Sequence, residues 1–341
     1  MLTKIDERYI FYIALFYFRQ GGFIKGIICR IESKDYYVIS NEDKKIIRCS
    51  IKGKFKKDFR LKKEKLFKTD IAVVGDYVEY DLIDELTGVI HTIGQRQNYL
   101  SRKAPKIKGA SYRGERLEQV VAANIDNLFI IVSVAQPLFN NKVLDRFLVI
   151  GESSGLKTII VINKTDLDKE NLIARWAELY KKIGYPVIMS SIISGEGLEE
   201  IKNFFLKKKN LLWGQSGVGK SSLLNKLYPD LNLNVGDISD YTDKGKHTTV
   251  TSVLIEAEPD TFIIDTPGVR EIDPYGIRKE DLSHYFLEFS DFAENCRFNT
   301  CTHFHEPGCA VIEAVENEKI TAERYNSYLR ILETIEEDIL F

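Results

Sequence analysis

The sequence of 341 residues predicts a multidomain chain: an N-terminal β-barrel (OB-fold), a central α/β P-loop domain with its motifs in rotated order, and a C-terminal α-helical zinc-binding domain. Three observations predict it. Short strand-like runs separated by Gly, Asn or Asp fill 23–97, apolar strands alternate with helical stretches from Ile125 onward, and three cysteines crowd between Cys296 and Cys309. A chain of this length buries two or three cores. The net charge is only −2, but it is unevenly spread. Lys52 to Lys68 is rich in lysine and Glu313 to Asp338 is acidic, so a polyanionic partner is expected at the basic end. A merely solvated lysine loop is the plain alternative.

Residues 1–22 form an extension of uncertain structure. Its run Tyr9 to Phe18, between Arg8 and Arg19, is too short to span a bilayer, and no small-residue cleavage site follows it. A buried strand or helix, or a misassigned start, explains it better than an anchor. No membrane partner is expected, and with no secretory signal the thiols are expected reduced in a cytoplasm. Cys29 and Cys49 read as small buried residues.

The barrel, 23–97, takes its strands from Lys25–Ile31, Tyr36–Ile39, Ile46–Ile51, Asp76–Tyr80 and Thr87–Ile93. The lysine run falls between the third and fourth, where a basic loop can follow a nucleic-acid backbone. Tyr36, Tyr37, Phe55 and Phe59 are candidates for stacking on bases, with barrel core as the competing role. Residues 98–124 read as a polar, basic linker. The α/β domain, 125–280, begins with the continuous apolar run Leu128–Ser133, the pattern of a parallel strand covered on both faces. A helical stretch through Asp145–Val149, the strand Thr158–Ile162, a helix through Ile173–Lys182 and the strand Pro186–Ser190 follow.

The chemistry concentrates at strand ends. Gly214-Gln215-Ser216-Gly217-Val218-Gly219-Lys220-Ser221-Ser222 lies between apolar Leu211–Trp213 and the helical Leu223–Leu227. That context makes G-x-x-x-x-G-K-[ST] a phosphate cradle: backbone N–H groups and a helix N-terminus face the anion, Lys220 reaches the β- and γ-phosphates, and Ser221 offers its hydroxyl to Mg²⁺. Asn163-Lys164-Thr165-Asp166 closes a strand, where the Asp166 carboxylate can accept from N1–H and the exocyclic amine of guanine. Adenine would leave that carboxylate unpaired. Lys164 would lie along the base, and Asn163 would tie the loop to the cradle. Ser191 and Ile192, opening the turn that ends at Gly197, are assigned to the same nucleotide pocket. Asp265-Thr266-Pro267-Gly268 ends another strand, with Asp265 expected on Mg²⁺ through water and the Gly268 N–H on the γ-phosphate. Between cradle and aspartate, Thr249 is expected to bind Mg²⁺ in a nucleotide-gated switch, with Thr248 as its nearest competitor.

In this order the base-reading motif precedes the cradle, a rotation of the usual GTPase sequence. Rotation is tolerated because domain termini lie close together. The chain thus resembles the RsgA (YjeQ, YloQ) family of circularly permuted GTPases over roughly 23–310, on the barrel, Gly214–Ser222, Gly245-Lys246-His247-Thr248-Thr249 and the cysteine cluster. The resemblance implies a GTPase acting in maturation of the small ribosomal subunit, with that subunit and its 16S rRNA as partners and GTP and GDP as ligands. A monomer is expected. Val269 stands where many GTPases carry a water-orienting glutamine, so slow intrinsic hydrolysis is expected, and the resemblance makes His247 the catalytic candidate.

Cys296, Cys301 and Cys309 with one imidazole suffice for a closed, structural Zn²⁺ site. His303 and His305 both compete for the fourth position, and the family pattern selects His303. The domain 281–341 is assigned to this site and the acidic helices after it. Two other readings remain: a nucleotide-gated rRNA-binding module with incidental hydrolysis, and a permuted GTPase acting on the large subunit. The barrel combined with the cysteine cluster argues against the second, and Asn163–Asp166 disfavours a P-loop kinase.

Overall fold

Alternation of buried and exposed side chains builds the barrel. Strand β3 (Ile46–Ile51) alternates strictly, and β1 (Ile24–Glu32), β2 (Asp35–Ser40), β4 (Tyr77–Leu82) and β5 (Thr87–Ile93) add their inward residues to a core of Ile28, Val38, Ile47, Val78, Tyr80 and Ile90. The barrel closes in the order β1-β2-β3-β5-β4, with β3 and β5 parallel and the other pairs antiparallel. This is the five-stranded OB architecture the sequence predicts. The computed structural model describes residues 23–53, 71–103, 118–233, 252–266 and 276–335. The lysine run beyond Gly53 and the run Tyr9–Phe18 lie outside the described residues.

Both barrel cysteines are buried, and burial pushes each thiol up to about 12, so neither is nucleophilic at neutral pH. Of the proposed stacking aromatics, Tyr37 already has the Arg30 guanidinium 4.1 Å from its ring centroid. Phe55 and Phe59 lie outside the described residues.

The expected linker is partly strand. β6 (Tyr99–Lys103) pairs antiparallel with β7 (Glu118–Ala123), and Leu100 and Ala122 join the main core. The two strands are short and separated by the polar stretch 104–117, which hides the pairing from any reading of local pattern.

The central sheet runs β10 (Val187–Ser190), β9 (Thr158–Asn163), β8 (Asn127–Ser133), β11 (Lys209–Trp213), β13 (Thr261–Asp265), β12 (Val253–Glu258). All neighbours are parallel except β12 and β13. β8, β9, β11 and β13 are buried at every residue because helices cover both faces. The covering helices are α1 (Asn141–Ser153), α2 (Ala174–Ile183), α3 (Leu198–Phe205) and α4 (Lys220–Leu227). Asn140 caps α1, its side chain accepting from the Lys142 N–H. β1 of the barrel packs on the edge strand β12, where Lys44 pairs with Glu256 and Asp260. Nearby, the Ser252 hydroxyl donates to the Val121 carbonyl at 2.9 Å.

The C-terminal unit comprises short helical turns from Lys279 to Phe289, then α5 (Ser290–Ala293), α6 (Ala310–Glu316) and α7 (Ala322–Thr334). Phe286, Phe289, Val311, Tyr328 and Ile331 form its core, to which Val149 of α1 also belongs. A buried ionic cluster fastens α7 to the central domain. Arg324 donates from Nη1 to Asp145 Oδ1 of α1 at 2.5 Å, and from Nε and Nη2 to both carboxylate oxygens of Glu288 at 2.6 and 3.0 Å. Burial by itself would lower the Arg324 pKa, but Asp145 and Glu288 outweigh it and hold the guanidinium charged. Tyr180 donates to the same Asp145 oxygen at 2.6 Å.

Arg324 and Asp145 are 1% and 0% exposed, so removing one partner strands a buried charge. Arg324→Met is therefore expected to cost about 3–5 kcal/mol. Chemical denaturation checks this; a change below about 1 kcal/mol would show that the carboxylates find other partners.

Candidate nucleotide site and metal cluster

The strand tips of β9 and β11 meet through Asn163. Its Nδ2 donates to the Val218 carbonyl at 2.8 Å, and its Oδ1 accepts from Ser190 Oγ at 3.1 Å. This contact needs glycine at 219: its φ is +98°, and a Cβ there would sit 2.5 Å from Asn163 Nδ2. Gly214 is equally constrained, since a Cβ would fall 2.1 Å from the Ile131 carbonyl oxygen of β8. The loop Gly214 to Gly219 is thus wedged between β8 and β9 before α4 begins at Lys220.

Lys164 sits at φ 63°, ψ 40°, a left-handed conformation, and sends its ammonium to the Gly217 carbonyl at 2.7 Å and to the Gln136 carbonyl. Lys220 donates to the carbonyls of Gly214 and Gln215 at 2.7 and 3.0 Å. Both ammonium groups therefore lie on the loop that the sequence assigns to phosphate. Ser221 and Ser222 are half-buried in the first turn of α4, and Asp265 is buried at the end of β13.

Asp166 follows in a short turn, Thr165–Leu167, and its Oδ1 accepts from Ser191 Oγ at 2.6 Å. Ser191 Oγ in turn accepts from the N–H groups of Ile193 and Ser194, both at 3.2 Å, so its single proton is directed at Asp166. Ile192 is half-buried in the same turn. His247, Thr248, Thr249 and Gly268 lie outside the described residues. Sequence reading missed Gln136 and Glu196, which reach the site from the loops after β8 and β10. Their signal was positional: each follows a strand whose neighbours end in the motifs.

At the C-terminal unit, one ligand atom from each of Cys296, Cys301, His303 and Cys309 lies within 4.8 Å of all the others. Cys296 Sγ is 3.5 Å from His303 Nδ1 and 3.9 Å from Cys309 Sγ, and His303 Nδ1 is 3.3 Å from Cys309 Sγ. A tetrahedron with metal–sulfur bonds of about 2.3 Å has edges of about 3.8 Å, so the set fits one four-coordinate ion. His303 is buried and His305 exposed, which separates the two competing imidazoles. Burial lowers the His303 pKa and favours the neutral, ligating ring.

Glu306 organises the turn that holds the cluster. It accepts from the Thr302 N–H and hydroxyl, and from the N–H groups of Phe304 and His305. Burial would raise its pKa, yet these bonds, led by Thr302, bring it down to about 2. From α7, Tyr325 and Tyr328 donate to the carbonyls of His303 and Thr302 at 2.8 and 2.6 Å.

Two family models match this chain: the RsgA N-terminal domain at 25–90 and the RsgA GTPase at 93–275. A curated relative from Phocaeicola vulgatus, named small ribosomal subunit biogenesis GTPase RsgA, is 37% identical over 92% of this chain and 98% of its own length. A relative of the same name from Caldanaerobacter subterraneus subsp. tengcongensis is 36% identical over 93% and 96%. Among solved structures, YjeQ from Thermotoga maritima superposes with a TM-score of 0.70 at 32% identity, covering 91% of this chain and 97% of that one. YloQ, described as a circularly permuted GTPase, gives 0.68 at 28%, covering 92% and 95%.

Proposed function

This chain belongs to the RsgA family of GTPases, and we propose on that premise that it binds the small ribosomal subunit, assists its late maturation, and hydrolyses GTP to GDP and phosphate with turnover stimulated by the subunit. The observation that supports this reading is the pair of bonds from Asn163 to Val218 and Lys164 to Gly217, which join the strand end read as base-binding to the loop read as phosphate-binding. Gly214 to Ser222 would hold the phosphates, with Gly268 on the γ-phosphate. Asn163 to Asp166, with Ser191 and Ile192, would hold guanine. Ser221, Asp265 and Thr249 would serve Mg²⁺.

Cys296, Cys301, His303 and Cys309 would hold one Zn²⁺. Four protein ligands leave no open position, so the ion would brace the fold rather than react. The barrel and the zinc unit would grip 16S rRNA, with GTP favouring the bound state and hydrolysis favouring release. We place this work in the cytoplasm and assign it to a monomer. No described helix is long and apolar enough to cross a membrane.

Val269 follows Gly268, so no glutamine is available there to orient the attacking water. Turnover of the chain alone is expected on the order of 10⁻⁴ to 10⁻² per second. Purified small subunits are expected to raise it at least tenfold and large subunits to leave it unchanged, by phosphate release measured in parallel. Stimulation by neither would favour a nucleotide-gated RNA-binding module, and stimulation by large subunits alone would move the site of action. His247→Ala is expected to abolish the stimulated rate; full stimulated turnover would remove it from catalysis.

A further inference from the structure

The base-reading turn is strained where it matters. Lys164 adopts a left-handed backbone with no glycine to ease it, immediately before the residues that present Asp166. Such a turn keeps its shape only if its surroundings hold it. Within the described residues, one hold comes from a side chain that no motif includes. Thr165 Oγ1 donates to Glu196 Oε2 at 2.5 Å, with a weaker approach to the Ser190 carbonyl at 3.3 Å.

Glu196 is itself fixed by its own turn. Its N–H donates to Ser194 Oγ at 3.3 Å and its carbonyl accepts from the Ser191 N–H at 3.1 Å. Gly197 follows at φ +69°, where a Cβ would lie 2.1 Å from the Met189 carbonyl oxygen, so only glycine lets this turn lie against β10. The turn after β10 therefore sends two side chains to consecutive residues of the turn after β9. Ser191 donates to Asp166, and Glu196 accepts from Thr165. The first bond orients the carboxylate itself. The second, at the solvent-exposed rim of the turn, ties the neighbouring residue to a carboxylate acceptor.

We infer that Glu196 is a positioning residue for guanine: it acts through Thr165 to hold the Lys164–Asp166 turn in its nucleotide-binding shape. The inference rests on the guanine pocket proposed above and adds to it a residue that touches no nucleotide. Because Glu196 lies away from the phosphates, its loss should show in nucleotide retention and leave the chemical step alone.

The test is GDP release from the full chain, followed with a fluorescent GDP analogue, with an ADP analogue as the control. Glu196→Ala is expected to speed GDP release about three- to tenfold, the range for one lost hydrogen bond. It should raise KM for GTP in proportion and leave kcat unchanged. Glu196→Gln, which keeps an acceptor oxygen, should restore most of the wild-type rate. Thr165→Val should reproduce the Glu196→Ala effect, and the double variant should add nothing further. If Glu196→Ala lowers the melting temperature, Glu196→Lys, which keeps a long side chain but offers no acceptor, carries the test in its place. GDP release at the wild-type rate in both single variants, from a wild type that still prefers GDP to ADP, would overturn the role of Glu196 and spare the pocket. A wild type without that preference would overturn the guanine pocket, and Glu196 with it.

Discussion

Asp166→Asn is expected to weaken GDP binding by about 10⁴-fold, because a site built on hydrogen bonds rejects a mismatched partner by that order. Guanine offers two donors, N1–H and the exocyclic amine. An asparagine offers one acceptor and one donor, so its amide would face the amine donor to donor. Ser191 Oγ already occupies one carboxylate oxygen at 2.6 Å, which fixes the orientation of the group and prevents it from turning away from the clash. Xanthine carries a carbonyl where guanine carries the amine. The same variant should therefore bind xanthosine diphosphate more tightly than GDP. Competition titration with the two nucleotides measures both effects. Wild-type GDP affinity in Asp166→Asn would place guanine recognition elsewhere.

Removal of the metal is expected to have the other large effect. Structural Zn²⁺ in small domains binds with apparent free energies of about 10–16 kcal/mol near neutral pH, much of it folding energy. Here the cluster closes a unit that also has an aromatic core of Phe286, Phe289 and Tyr328. A strong chelator should therefore disorder the turn from Cys296 to Cys309 and lower the melting temperature of the C-terminal unit, while α1 to α4 persist. A colorimetric zinc assay should find one ion per chain. Burial pushes the Cys301 thiol up to about 12 and raises that of Cys309, so without metal these two thiols are neutral at pH 7. Metal uptake must expel those protons, and affinity should rise with pH. An affinity that is flat between pH 6 and 8 would exclude thiolate ligation.

The sequence made the site legible where chemistry needs particular residue types at fixed spacing. Asn163 to Asp166 and Gly214 to Ser222 could be read because each ends an apolar strand long enough to recognise alone. That they touch followed from the rule that ligands bind at strand ends, and Asn163 bonded to Val218 bears out that contact. The barrel was legible for a similar reason: alternation in a strand such as β3 is local. What escaped was non-local. Arg324 meets Asp145 across 179 positions, and neither stands out in a charged helix until the fold buries both. Glu196 lay in a turn already marked for Ser191, but a turn glutamate bonded to a threonine 31 residues away has no pattern of its own. The pairing of β6 with β7 was hidden because the contacts that stabilise it come from the neighbouring core.

The seat of the barrel has a mechanical consequence. Thr249 is three residues before Ser252, and Ser252 is hydrogen-bonded to β7 beside the strand on which β1 rests. If Thr249 serves the switch proposed above, a macromolecule that clasps the barrel would hold the strand into which that switch leads. Thermodynamics makes that traffic two-way: if bound GTP tightens the clasp, the clasp must raise the affinity for GTP by the same factor.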